Sequence, residues 1–465
     1  MRHFLAECFA FRILFVQRMG KMKDLTKGSP IKLVLQFAIP VMLGNIFQLL
    51  YSLADTRIVG SCLGEQALAA VGSTSSLNSM IVGFLLGLTN GFAIISARSF
   101  GAKDEVHLKK AVAATFKLGI ITSLILTVIS VTLLPQILRL LNTPENLIPL
   151  ASDYFRIILL GMTISMLYNI CSGLLRAIGD TVTPLIFLIL STIMNIGLNL
   201  LMIKGFGMGV EGAAYATVMS QSIAFIACMI YLWKRYPILH FGREQLKLKA
   251  DLVKEMYATG LSMGFMGCLV NIGSVALQSA INTFGDTTIV AHTAARKISE
   301  LFMLPFSVFG MTMATYCGQN KGAGRMDRVR QGLFQSILLV WGWCVLVILS
   351  AYTVAPLLVR LVTATQNAEI VHTAAKYLRI NTPFYFICTV ICLVRNCMQG
   401  IGDSITPIIS SFVELAGKVI VAFLLAPRLG YFAVMISEPL TWIFMVIPLL
   451  IMIVKELELG GHKSR

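Results

Sequence analysis

Apolar runs of about twenty residues recur along nearly the whole chain, and each is long enough to cross a bilayer as a helix. Taken in order they predict about twelve spanning helices, near 33–59, 68–97, 108–134, 148–175, 184–204, 209–233, 254–284, 289–317, 331–354, 370–395, 405–427 and 430–454. The alternating ten-residue segments of a transmembrane β-barrel are not the pattern. An all-α polytopic membrane protein is therefore expected.

The informative positions are the polar ones that interrupt these runs. The first segment carries Asp55, and an ionised aspartate inside a span costs about 2.5–3.5 kcal/mol unless it faces protein or water. On a helix, Gln48, Tyr51 and Asp55 stand three and four apart and share one face, while Pro40 bends the helix one to two turns in. The fifth segment places Thr192, Asn195 and Asn199 on one face, and the sixth places Thr217 and Gln221 four apart. Amides and hydroxyls supply oxygen ligands, and together with one carboxylate they can hold Na⁺ or share a proton. The plainer reading of the amides and hydroxyls is interhelical hydrogen bonding, and that of Asp55 is an acid near enough to the surface to be hydrated. Gly44, Gly161, Gly197 and Gly264 are expected at close helix crossings.

A duplication organises the chain. Ala177 to Pro184 (AIGDTVTP) is echoed by Gly400 to Pro407 (GIGDSITP) about 223 residues later, and Gly64 with Gly285, and Gly101-Ala102 with Gly322-Ala323, keep nearly that offset. About six spans separate equivalent points, so the halves have the same orientation and are parallel repeats. The predicted organisation is an N-terminal extension (1–30), an N-lobe of six helices (31–233), a polar linker (234–253), a C-lobe of six helices (254–455) and a tail (456–465). Two lobes joined by a long loop suit rocking about a central cavity, the alternating-access geometry of secondary transporters.

Composition agrees: 57% of the 465 residues are hydrophobic and 13% charged, with a mean hydropathy of +0.80. The net charge of +16 does not point to nucleic acid, because the basic residues gather in alternate loops: Lys21, Lys23 and Lys27, then Lys103, Lys109 and Lys110, then Lys234 to Lys249, then Lys321 to Arg330. This positive-inside bias predicts that both termini are cytoplasmic; the membrane expected is a bacterial inner membrane. The ten cysteines lie mostly in apolar segments and form no CxxC pair, which fits small buried residues. Residues 1–21 lack a small-residue cleavage site, and Met22 is an alternative start.

In the second half, Arg296 with Glu300 and Glu414 with Lys418 are four apart and read as ion pairs, whereas Glu438 has no evident partner. No GxxxxGK[ST] phosphate loop, HExxH or paired aspartate motif is present, so an ATP-driven pump and an enzyme are unsupported.

Between residues 23 and 455 the chain resembles the multidrug and toxic compound extrusion (MATE) family, on four stretches: Gln48 to Thr56 (QLLYSLADT), 63–72 (LGEQALAAVG), Arg176 to Pro184 (RAIGDTVTP) and Gln319 to Gly324 (QNKGAG). The resemblance implies a two-lobed, twelve-helix antiporter, not an enzyme, expelling cationic or amphipathic drugs in exchange for H⁺ or Na⁺. The pattern looks most like the DinF-like branch, whose coupling site lies in the N-lobe. That resemblance puts cation coupling on Asp55, Tyr51, Asn195, Asn199 and Thr217, with any Na⁺ at Asp55, Asn195, Asn199 and Thr217; Tyr154 falls in the substrate cavity and Pro40 at the helix bend, and Gln48, on the polar face of the first helix, is read as lining the same cavity. Asn199 replaces a common aspartate, which leaves one carboxylate and favours H⁺. The acid that some relatives carry in the seventh helix is missing from Gly267 to Asn271. No cofactor is implied. Expected partners are small organic cations or amphipathic drugs and membrane lipid, with no nucleic acid and a monomeric state. The alternative is a lipid-linked oligosaccharide flippase of the same superfamily, which would favour an arginine-lined cavity.

Overall fold

A computed structural model describes residues 21–141, 143–363, 365 and 367–462. Residues 1–20, which hold most of the predicted N-terminal extension and bear on the question of the start, and the last three residues lie outside the described residues.

Among the described residues eleven helices are long and apolar enough to cross a membrane, and a bent helix pair makes twelve. They are α1 (Pro30–Leu63), α2 (Glu65–Gly101), α3 (Glu105–Leu140), the bent α4 (Ile148–Leu160 and Met162–Ala177), α5 (Val182–Gly205), α6 (Val210–Arg235), α7 (Ala250–Phe284), α8 (Asp286–Gly322), α9 (Met326–Thr353), α10 (Ala368–Ile401), α11 (Ile405–Leu429) and α12 (Tyr431–His462). The last of these continues to His462, into the predicted tail. Only residues 236–249, with short turns at Pro237–Leu239 and Glu244–Leu246, connect α6 to α7, a shorter linker than expected. The protein is a multi-pass membrane protein.

Departures from regular helix have local causes. Pro40 lies inside α1, where it removes one backbone hydrogen bond. The 44° bend of α4 falls at Gly161, where a Cβ would come within 2.4 Å of the Val218 side chain. Both α5 and α11 pass through a π-helical turn, at Leu201–Gly205 and Val421–Leu425. These turns keep nearly the offset of the sequence duplication, as do Gly64 and Gly285, each at φ +84° ahead of a new helix.

The duplicated GD motif is a helix-capping device. Asp180 Oδ1 accepts the Thr183 N–H at 3.0 Å, and Oδ2 accepts the hydroxyls of Thr183 at 2.6 Å and Tyr236 at 2.7 Å. Asp403 Oδ1 accepts the N–H groups of Ile405 and Thr406 at 2.9 and 3.0 Å, and its Oδ2 takes the Thr406 hydroxyl. Each satisfies first-turn donors of the helix that follows.

By spatial proximity the chain divides into two compact units. One holds Ile39–Ser79 and Asp104–Lys249 with residues 21–24, and the other holds Leu25–Ala38, Met80–Lys103 and the chain from Ala250 onward. The second unit thus includes parts of α1 and α2 that precede the sequence linker.

Within that second unit, α2 and α8 approach at a pair of glycines. A Cβ on Gly101 would sit 2.0 Å from the Gln319 carbonyl oxygen, and one on Gly322 would sit 1.9 Å from that of Arg98. Arg98 in turn donates to the carbonyls of Gln399 and Gly400 and to Glu255 at 2.8 Å.

Three expectations need correction. Arg296 pairs with Glu438 of α12, and the Tyr377 hydroxyl donates to the same carboxylate at 3.3 Å, so Glu438 is partnered while Glu300 is exposed. Side-chain direction decides this: Glu438 is buried against α8, whereas Glu300 points outward. Glu414 does meet Lys418 at 3.0 Å, and also Arg395 at 3.5 Å, a partner from α10 that spacing cannot reveal. Gly197 is exposed with open space beyond its Cα, unlike Gly161 and Gly264, so it is not a crossing point.

Candidate functional site: a cluster of acceptor oxygens on the first, fifth and sixth helices

Within the first unit, helical spacing delivers the polar side chains of α1, α5 and α6 to one place. Tyr51 and Asp55 are one turn apart on α1, Asn195 and Asn199 are one turn apart on α5, and Thr217 lies in the second turn of α6. Asn195 and Asn199 are almost fully buried, at 1% and 0% exposure, while Asp55, Tyr51 and Thr217 are half-buried.

The amide of Asn199 spends both hydrogens, one on Asp55 Oδ1 at 2.7 Å and one on Asn195 Oδ1 at 2.8 Å. Asn195 Nδ2 donates to Thr217 Oγ1 at 3.3 Å. The Thr217 hydroxyl donates back to the Ala213 carbonyl at 3.1 Å, so the Tyr51 hydroxyl, 3.4 Å away, is the donor toward Thr217. Both amide hydrogens of Asn199 and one of Asn195 are thereby spent. Acceptor capacity is left beside Asp55: Asn199 Oδ1 is buried without a hydrogen bond, and Asp55 Oδ2 receives none among the described residues. A buried carbonyl oxygen left unpaired costs about 1–3 kcal/mol. Such a cluster of oxygens with one carboxylate can bind a small cation or take up a proton. Among the described residues no group of three or more His, Cys, Asp or Glu could hold a metal ion.

The other predicted residues are placed as follows. Tyr154 of α4 is half-buried and packs on Val59, Ala67, Ile203, Val210 and Ala213, beside the cluster. Gln48 is exposed and takes no part in the hydrogen-bond chain. Pro40 lies about four turns before Asp55. Thr192 bonds to its own helix at Leu188, and Gln221 pairs with Ser165. Sequence reasoning missed the π-turn that begins two residues after Asn199; such turns often mark functional places, and only its repetition at Val421–Leu425 could have signalled it.

Lys418 stands 223 positions after Asn195, the same offset that separates Asp403 from Asp180. The second half thus fills the corresponding place with an ion cluster in which Lys418 and Arg395 both pair with Glu414.

Comparison with known proteins gives one answer. The MatE family model matches twice, over residues 40–201 and 262–424, the duplication seen in the sequence. The probable multidrug resistance protein YoeA of Bacillus subtilis is 30% identical over 84% of this chain and 86% of its own length. The probable multidrug resistance protein NorM of Thermotoga maritima is 25% identical over 85% of each. Among solved structures, MATE in the bent conformation superposes with a TM-score of 0.88 at 22% identity, over 96% of this chain and all of that one. The chain belongs to the MATE family and is a membrane transporter, not an enzyme.

Proposed function

We propose that this protein is a cation-coupled multidrug efflux antiporter of a bacterial cell membrane. It exports cationic or amphipathic compounds by alternating access, with both termini in the cytoplasm. The observation that carries this reading is the hydrogen-bond chain that joins Asp55 to Asn199, Asn195 and Thr217 and leaves Asn199 Oδ1 buried and unpaired beside the carboxylate. The names of the similar Bacillus and Thermotoga proteins, probable multidrug resistance proteins, support the substrate class.

In this reading Asp55, Asn195, Asn199, Thr217 and Tyr51 form the coupling site, and Tyr154 and Gln48 line the drug path. A cation drives the cycle only if it binds one state better than the other. Desolvation and hydration of the Asp55 carboxylate in the two states supply that difference. H⁺ is favoured over Na⁺ because Asp55 is the only carboxylate in the cluster. In the second half the Glu414 carboxylate is already engaged by Lys418 and Arg395, which agrees with a coupling site in the first half alone.

The test is drug efflux from proteoliposomes under an imposed pH gradient and, separately, an imposed Na⁺ gradient. Efflux driven by the pH gradient supports the reading, and transport driven by neither refutes antiport.

A further inference from the structure

A second site of different chemistry lies in the second unit, where α9 ends and α10 begins. A cavity of about 660 Å³ is lined by Tyr352, His372, Lys376, Arg379, Pro383 and Phe384. His372, Lys376 and Arg379 follow one another at i, i+4 and i+7, so three basic groups share one helical face. Among the described residues none of the three forms an ion pair with a carboxylate, and none of the lining residues is acidic. Arg379 is held in place by its neighbour: its Nε donates to the Ala351 carbonyl at 3.4 Å, and its own carbonyl accepts the Tyr352 hydroxyl at 3.2 Å. Glu369, on the same helix, sits in the first turn at the exposed end and is outside the cavity lining.

The position matters as much as the charge. The helix α9 ends at Thr353, and the basic groups gathered at that end, His372, Lys376 and Arg379, place the cavity at headgroup level and not in the hydrocarbon. Below it, Val345, Leu346, Leu349 and Tyr352 form an exposed stripe at helical spacing, 48–60% accessible, that leads up α9 into the cavity. A tyrosine and a phenylalanine at the rim are the aromatic residues expected at a membrane interface. This end of α10 also lies opposite the basic loops, where the positive-inside bias depletes Lys and Arg. Unpaired cations kept there need a reason other than topology.

We infer that this cavity binds the phosphate headgroup of an anionic phospholipid, with the acyl chains lying along the α9 stripe. Free phosphate shares the headgroup chemistry but has no use for the apolar stripe, so lipid is the ligand assigned. The site is separate from the Asp55 cluster and does not rest on the coupling reading.

The test uses the full-length protein in mixed micelles, titrated with phosphatidylglycerol, with phosphatidylcholine or with inorganic phosphate, and reads the unfolding temperature. Phosphatidylglycerol should stabilise at lower concentration than phosphatidylcholine, with inorganic phosphate giving no comparable shift. Each basic residue near a membrane surface contributes about 1 kcal/mol, so Lys376→Gln should raise the half-stabilising phosphatidylglycerol concentration roughly fivefold, and Lys376→Arg should restore it. Because Arg379 also bonds the backbone, Lys376 is the primary variant. Equal stabilisation by both lipids, an equal shift with inorganic phosphate, or an unchanged titration in Lys376→Gln would overturn the assignment.

Discussion

Asp180 and Asp403 occupy the same place in the duplicated motif, yet their removal should have unequal cost. Asp403 serves only the first turn of its own helix, through Ile405 and Thr406. Replacing such a cap by alanine costs about 0.5–2 kcal/mol. Asp180 caps its helix in the same way and also accepts the buried Tyr236 hydroxyl at 2.7 Å. A hydrogen bond to a charged acceptor contributes about 1.5–3 kcal/mol, so Asp180→Ala should cost about 2–5 kcal/mol against at most about 2 for Asp403→Ala. The assay is thermal unfolding of the purified protein for both alanine variants, for Tyr236→Phe and for the double variants. Asp180→Ala and Tyr236→Phe should couple, while Asp403→Ala and Tyr236→Phe should add. Equal losses for the two aspartates, or additivity at Asp180 and Tyr236, would refute the reasoning.

The same tyrosine predicts a pH dependence. Tyr236 lies just past the end of α6, and burial followed by the hydrogen bond to Asp180 pushes its phenol above the ordinary value of 10. A raised folded value contributes stability that is present below pH 10 and is lost as pH rises beyond it. Tyr236→Phe should therefore flatten part of the alkaline loss of stability, read from unfolding temperatures between pH 8 and 11.

The helix crossing at Gly101 and Gly322 leaves no room for a methyl group, since ordinary contact begins near 3.4 Å and a Cβ would lie within 2.0 Å of a carbonyl. Gly101→Ala or Gly322→Ala should lower the unfolding temperature, with overpacking on the order of 1–3 kcal/mol or more, while Gly72→Ala, which meets nothing within 4 Å, should not. Glu438→Gln strips the partner from Arg296 and should cost up to about 3–5 kcal/mol; the double variant with Arg296→Gln should recover expression and monodispersity. Asn199→Asp adds a second carboxylate at the Asp55 cluster, and efflux from proteoliposomes should become more dependent on Na⁺.

Much of this architecture is legible in the sequence because spans in lipid must satisfy their own backbone, which makes apolar length a strong signal. The spacing of Tyr51 and Asp55, and of Asn195 and Asn199, places each pair on one face. It cannot say that Asn199 turns its amide hydrogens toward both Asp55 and Asn195, 144 and 4 positions away. The same limit produced the error at Glu438: local spacing favours Glu300 as the partner of Arg296, whereas the residue actually met is 142 positions distant. The GD motif was visible as a repeat, but its work as a cap, and its link to Tyr236 in one copy only, depend on where the connector returns. The bend of α4 at Gly161 was hidden because a glycine in an apolar run reads as packing whether or not the helix breaks there.

The account stands most directly on Asp55. Drug efflux should be measured in proteoliposomes carrying the wild type or Asp55→Asn, at matched protein density and under the same imposed pH gradient. The account predicts that Asp55→Asn incorporates normally and shows no gradient-driven efflux. Efflux at the wild-type rate in that variant would contradict it.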